Sequence, residues 1–294
     1  MKKRVLKGFL LIVASVMVAS CSTTKSNETV KDTDQMATQT NETIAKAEET
    51  DTEETQTPQE GMKLVWSDEF DTETVPSSQN WNYYPGPVYN NEVESYTDSP
   101  DTAFIQNGIL TIKAVKDSQG AWRSARLNTM DKATFTYGYV EARIKVPADN
   151  GTWPAFWMMS NDNPYGTWPC SGELDVMEHS PSTTGLNTVF STVHVGSSVG
   201  THQWTSLNNE KLATASLQFH TYGMKWTDTY IQSYVDGKPV GIKYMKGDKD
   251  WTQWPFDNKY YIILNLAMGG DLGGTIDEGL TQSTYQIDYV RVWQ

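Results

Sequence analysis

The run Tyr139-Val140-Glu141-Ala142-Arg143-Ile144-Lys145-Val146 alternates apolar and polar side chains without a break. Successive side chains on a strand point to opposite faces, so Val140, Ala142, Ile144 and Val146 line one side of a half-buried strand. Runs of the same kind lie to either side, at 108–115, 188–195, 222–226, 230–235, 260–267 and 285–293, with turn residues between them. Asp236-Gly237 separates two of these runs and is a strong hairpin signal. Helical spacing shows only over 212–219, and no repeat at a fixed period is evident. Many short strands with glycine-rich turns predict an all-β fold, a jelly-roll sandwich of two antiparallel sheets with one concave face.

One strand of that set has an unusual chemistry. Gly172-Glu173-Leu174-Asp175-Val176-Met177-Glu178-His179 carries three acids in six residues, with apolar side chains between them. Like charges crowded on one face destabilise a strand, so the acids need a reason. Glu173 and Asp175, at i and i+2, share a face, and Glu178 at i+5 would point away. A single β-bulge at Val176-Met177 returns Glu178 to the acidic side, and bulges are common beside active sites. Calcium loops favour Gly and Asn on irregular backbone, which this run lacks. Paired carboxyl groups suit hydrolysis of an acetal, which makes Glu173, Asp175 and Glu178 the candidate catalytic residues.

The chain has 294 residues and a formal net charge of −13. Residues 1–21 read as an export signal, with Lys2, Lys3, Arg4 and Lys7 ahead of a short apolar run. The run closes on Val18-Ala19-Ser20-Cys21, which resembles a lipobox and makes Cys21 the expected lipidation site. A lipid there would anchor the protein to a membrane without spanning it, placing it in a bacterial cell envelope, at the outer membrane or cell surface. Residues 22–60 hold ten acids, three lysines and no aromatic residue, so they read as a disordered acidic linker. Residues 61–294 suffice for one large β-sandwich, expected to work as a monomer. That segment has 26 acids against 16 bases, which argues against nucleic acid and against sulfated glycans. Cys170 is left without a partner, so no disulfide framework is expected, and it reads as a small buried filler.

All 11 Trp lie past residue 60. Trp66, Trp226 and Trp293 sit in strand-like runs and read as core. Trp153, Trp157 and Trp168 cluster ahead of the acidic run, and Trp204 lies in a loop-like stretch. Sugars present C–H-rich faces to such rings and hydroxyls to fixed polar groups, so these four are candidates for a sugar-binding cleft.

The run Glu173-Leu174-Asp175-Val176-Met177-Glu178 resembles the active-site signature of glycoside hydrolase family 16 in its bulged form. Trp66-Ser67-Asp68-Glu69-Phe70, Asn90-Asn91-Glu92, Ser124-Ala125-Arg126-Leu127, 137–145, Asn265-Leu266-Ala267-Met268-Gly269-Gly270 and Asp288-Tyr289-Val290-Arg291-Val292 extend the likeness over the whole segment, in its laminarinase-like branch. The resemblance implies an endo-acting hydrolase that cleaves β-glucan, β-1,3 or mixed-linkage β-1,3-1,4, with retention. It makes Glu173 the nucleophile, Glu178 the general acid and base, and Asp175 the residue between them. It implies that Asn91, Glu92, Arg126, His194 and Asn265 bind sugar hydroxyls. It needs no cofactor for catalysis, and it implies a structural calcium ion at Glu69, Gly108 and Asp288. Two departures stand out: Cys170-Ser171-Gly172 ahead of the signature, which shifts the cleft edge, and Trp293 in place of a Tyr.

Three other readings compete. An agarase-like galactan hydrolase would share the acids. A non-catalytic glycan-binding module would have no need of Glu173 and Glu178 together. A structural surface protein would release no soluble oligosaccharide.

Overall fold

A computed structural model describes residues 58–71, 73–86 and 89–294. The export signal, Cys21 and the linker as far as residue 57 lie outside the described residues. Residues 58–60 form a turn, Pro58 is buried, and Lys225 Nζ donates to the Pro58 carbonyl at 3.0 Å.

The first nine strands are β1 (Leu64–Asp68), β2 (Asn82–Tyr83), β3 (Glu94–Tyr96), β4 (Ala103–Gln106), β5 (Ile109–Lys116), β6 (Trp122–Ser124), β7 (Arg126–Asn128), β8 (Thr134–Phe135) and β9 (Gly138–Lys145). They are followed by β10 (Thr152–Ser160), β11 (Glu173–His179), β12 (Thr188–Val195), β13 (Gln203–Lys211), β14 (His220–Trp226), β15 (Tyr230–Val235), β16 (Lys238–Met245), β17 (Tyr260–Met268) and β18 (Gln282–Trp293). One ten-stranded sheet runs β16-β15-β14-β9-β18-β5-β6-β3, with β1 also on β18 and β4 on β5. One eight-stranded sheet runs β13-β12-β11-β10-β17-β7-β2, with β8 also on β17. Pairing is antiparallel throughout except at β3–β6, which is parallel. The two-sheet sandwich expected from the alternating runs is therefore present.

The core lies between the sheets. Val140, Ala142 and Ile144 of β9 and Met224 and Trp226 of β14 face Phe156 and Met158 of β10 and Ile262, Leu264 and Leu266 of β17. Fully burying side chains of this size contributes about 1.5–3 kcal/mol each, and among the described residues no disulfide adds to it. Trp226 is buried as expected, while Trp66 and Trp293 are half-buried. Asp236 and Gly237 close the β15–β16 hairpin with φ of 49° and 73°, the left-handed pair that a two-residue turn requires. Residues 213–217 are turns, so the helical spacing over 212–219 does not become a helix. The one α-helical element among the described residues is the single turn Gly270–Gly273.

Candidate active site

Strand β11 carries the acids because of one extra residue. Toward β10, Trp157 opposes Asp175 and Phe156 opposes Met177, so Val176 has no partner. Toward β12, Asp175 opposes Thr192 and Glu178 opposes Phe190, three steps on one strand against two on the other. The bulge expected at Val176-Met177 is there, and Leu174, Val176 and Met177 all enter the core. Glu173, Asp175 and Glu178 consequently line the same cleft. The carbonyl of Val176, the extra residue, is met by a side chain. The Ser191 hydroxyl donates to it at 2.7 Å and in turn accepts from Asn208 Nδ2 at 2.8 Å. Gly172, at φ 75°, starts the strand. A Cβ there would lie 2.6 Å from the Tyr260 hydroxyl and 2.7 Å from Pro255, so no other residue fits.

The cleft has a volume of about 1130 Å³ and runs over the outer face of the eight-stranded sheet. The same alternation that sends Phe156 and Met158 inward sends Trp153 and Trp157 outward on β10, and Asn265 outward on β17. Glu92, Arg126, Trp153, Trp157, Trp168, His194, Trp204 and Asn265 all line it, as the sequence suggested. Asn91 does not. Asn90 and Asn91 both take positive φ, 53° and 58°, and this turn sends Asn91 outward, where its amide donates to Asp271 at 2.7 Å. Asn90 faces the cleft instead.

Several of these residues hold one another rather than stand free. Trp153 Nε1 donates to Glu178 Oε1 at 2.8 Å, so this indole orients an acid. Trp157 Nε1 donates to Asn265 Oδ1 at 2.7 Å, and Asn265 Nδ2 donates to the Tyr96 hydroxyl at 3.1 Å. The buried Asn265 thus spends both amide ends on the protein. The Tyr96 hydroxyl continues the chain to Glu92 at 3.1 Å. The Arg126 guanidinium lies over the Trp157 ring at 4.6 Å and the Tyr84 ring at 5.4 Å. It stacks between two aromatics instead of pairing with a surface acid. His194 Nε2 lies 2.9 Å from Asp175 Oδ2 and 3.9 Å from Glu173 Oε1, while its Nδ1 lies 2.8 Å from His202 Nε2. Both imidazole nitrogens therefore face protein partners. Trp204 remains the open aromatic, 65% exposed at the rim. Tyr84, Tyr261 and His202 also line the cleft and were missed. Tyr261 alternates with the buried Tyr260 and Ile262, a spacing that could have revealed it.

Burial pushes the pKa of all three acids upward, and the Asp175 charge adds to the rise at Glu173 and Glu178. Three negative charges cannot coexist in so small a buried space. His194 and Arg126 pull Glu173 back toward ionisation. Glu178 has the Trp153 N–H and a more remote His194 to offset its burial, and it is held well above the ordinary carboxylate range. Burial thus favours the proton on Glu178, the state that a general acid needs.

The residues expected to hold calcium do not fit that role as they stand. Arg291 engages both oxygens of Glu69, at 2.9 and 2.7 Å, and Arg143 engages Asp288 at 2.6 Å. Each carboxylate is already neutralised by a guanidinium, and Gly108 offers only its backbone. Cys170 is half-buried rather than the buried filler expected.

Residues 89–291 match the family model described as Glycosyl hydrolases family 16. The chain is 35% identical over 265 residues to glucan endo-1,3-beta-glucosidase A1 of Niallia circulans, covering 80% of this chain and 38% of that protein. It is 36% identical over 250 residues to a beta-glucanase of Rhodothermus marinus, covering 79% of this chain and 85% of that protein. Among solved structures, the laminarinase from Rhodothermus marinus superposes with a TM-score of 0.71 at 35% identity, over 79% of this chain and 97% of that one. The family match, the superposition and these identities agree, and the chain belongs to glycosyl hydrolase family 16.

Proposed function

We propose that this chain hydrolyses internal linkages of a β-1,3- or mixed-linkage β-1,3-1,4-glucan with retention of configuration. The observation that carries the reading is the placement of Glu173, Asp175 and Glu178 on one wall of an aromatic cleft by a single bulged residue. In the first step the Glu173 carboxylate attacks the anomeric carbon. The bond to the leaving sugar breaks, and Glu178 gives its proton to the departing oxygen. In the second step water attacks the glycosyl ester, passes a proton to Glu178 and releases Glu173. Two inversions leave the configuration unchanged. Asp175 lies between the two glutamates, with His194 Nε2 2.9 Å from its Oδ2, and its charge raises the proton affinity of both. Trp153, Trp157, Trp168 and Trp204 supply ring faces along the cleft for successive sugars. The relatives named above support a glucan rather than a galactan.

The test is incubation of the protein with laminarin, lichenan, barley glucan, agarose and xyloglucan. Products are sized, and the anomer first formed is identified by proton NMR. Soluble oligosaccharides of β configuration from a glucan are expected. Glu173→Ser should abolish release while glucan binding survives. No release from any glucan, or full turnover by the Ser variant, defeats the reading. The proposed lipid anchor at Cys21 rests on the sequence pattern; palmitate labelling of the full chain that persists in Cys21→Ala would refute it.

A further inference from the structure

Among the three acids of the cleft, Asp175 alone has a buried oxygen left without company. The residue is 2% exposed, and its Oδ2 has no hydrogen-bond partner. Glu178 differs, because the Trp153 N–H donates to its Oε1. A buried carboxylate oxygen in that state calls for a donor or a cation. The group nearest to it is His194, whose Nε2 lies 2.9 Å from Asp175 Oδ2 and 3.9 Å from Glu173 Oε1. One imidazole nitrogen and one oxygen from each of these two carboxyl groups therefore converge, all within 4.8 Å of one another. The side chains of Glu173 and His194 are 17% and 19% exposed, so the convergence is reached from the cleft.

We propose that Glu173, Asp175 and His194 form a binding site for a divalent transition ion of the zinc type, which removes the nucleophile from the reaction while it is bound. Three donors held at about 2.0–2.2 Å around one tetrahedral ion lie roughly 3.3–3.6 Å from each other, and the two spacings at His194 bracket that range. One nitrogen and two oxygens suit zinc, cobalt, nickel or copper, whereas calcium and magnesium take oxygen sets. The fourth position opens to the cleft. The surroundings of the ring also fit. A neutral imidazole that gives Nε2 to a metal keeps its hydrogen on Nδ1, where metal-bound histidines have a partner. His202 Nε2 stands there, 2.8 Å from His194 Nδ1, with the two rings 6° from parallel. The loop between β12 and β13 holds His202 in place. Gly196 lets the chain fold back, since a Cβ there would lie 3.0 Å from the Thr201 carbonyl and 3.2 Å from His202 Cα. Trp168 packs against the His202 ring, with centroids 4.6 Å apart.

The test is titration of the full chain with zinc, read by calorimetry, and with cobalt, read by visible absorption, after metal has been stripped with a chelator and the chelator dialysed away. Neither readout needs turnover. One ion per chain is expected, with cobalt bands of nitrogen and oxygen ligation that calcium does not displace. His194→Ala should abolish binding at concentrations that saturate the wild type. His202→Phe keeps a ring against Trp168 but removes the partner of Nδ1, and it should weaken binding about 10–100-fold. Zinc at the concentration that fills the site should stop sugar release from laminarin, and a chelator should restore it; this arm rests on Glu173 as the nucleophile. No binding of either metal at millimolar concentration overturns the proposal, as does binding that His194→Ala leaves unchanged. If that variant does not fold, Asp175→Asn and the wild-type cobalt spectrum still decide. A chain inactive on every glucan would defeat the proposed reaction and leave the binding result standing.

Discussion

Removing the Ser191 hydroxyl tests whether the bulge is what makes the site. Ser191, Val176 and Asn208 are all buried. Ser191→Ala strips the Val176 carbonyl of its donor and leaves Asn208 Nδ2 without its acceptor. A buried polar group that loses its partner costs about 1–3 kcal/mol. Two such groups make roughly 2–6 kcal/mol, and a shift in Tm of about 2–4 °C per kcal/mol suits a domain of this size. Thermal melts should therefore show a loss of about 4–24 °C. The catalytic effect should exceed what stability alone explains, since the strand can now relax toward regular pairing, which turns Glu178 toward the core. A fall in kcat of at least tenfold below the melting range is expected, roughly the 1.4 kcal/mol that a misplaced acid would cost. Thr129→Val is the control. The Thr129 hydroxyl bridges the Ala133 carbonyl and the Ile262 N–H in an equally buried place, so its loss should cost similar stability and leave kcat near wild type. The reasoning fails if Ser191→Ala melts and turns over like wild type, or if Thr129→Val loses as much kcat.

Other outcomes follow from the same contacts. Glu94 is buried beneath the Met268 N–H, and burial first, then Glu92, pushes its pKa up to about 8. A carboxyl whose folded pKa exceeds its unfolded value loses stability as pH rises between the two, so Glu94→Gln should stabilise the fold by about 3 kcal/mol at pH 7 and by little below pH 4.5, read from pH-dependent urea melts. Trp153→Phe removes an N–H bond that favours the charged form of Glu178, so the basic limb of the kcat/KM profile should move to higher pH. Trp204→Ala should raise KM for long glucans about tenfold, the loss of roughly 1.4 kcal/mol of stacking at the rim, with kcat nearly unchanged. Calcium or a chelator should move Tm by less than about 1 °C, because Arg291 and Arg143 already neutralise Glu69 and Asp288; a rise of several degrees with calcium would mean that those pairs open to admit the ion.

The sequence by itself determined the sheets, the acidic strand and the bulge. Strand alternation and the spacing of Glu173, Asp175 and Glu178 are local properties with a period of two, and local properties are legible in one dimension. The aromatic content of the cleft was legible for the same reason, since Trp153 and Trp157 share a face by spacing alone. The roles of those side chains were not. Trp153 reaches Glu178 across a strand pair, Asn265 ties Trp157 to Tyr96, and Arg126 lies between Tyr84 and Trp157. Each depends on register between strands far apart in the chain. Asn91 turned outward because two successive left-handed residues reversed the expected side. Glu69 met Arg291 across β1 and β18, and Asp288 met Arg143 across β18 and β9, pairings that no spacing rule foretold. His202 came to His194 only because the loop at Gly196 folds back on itself, and a contact of that kind is decided by three-dimensional packing rather than by the order of residues.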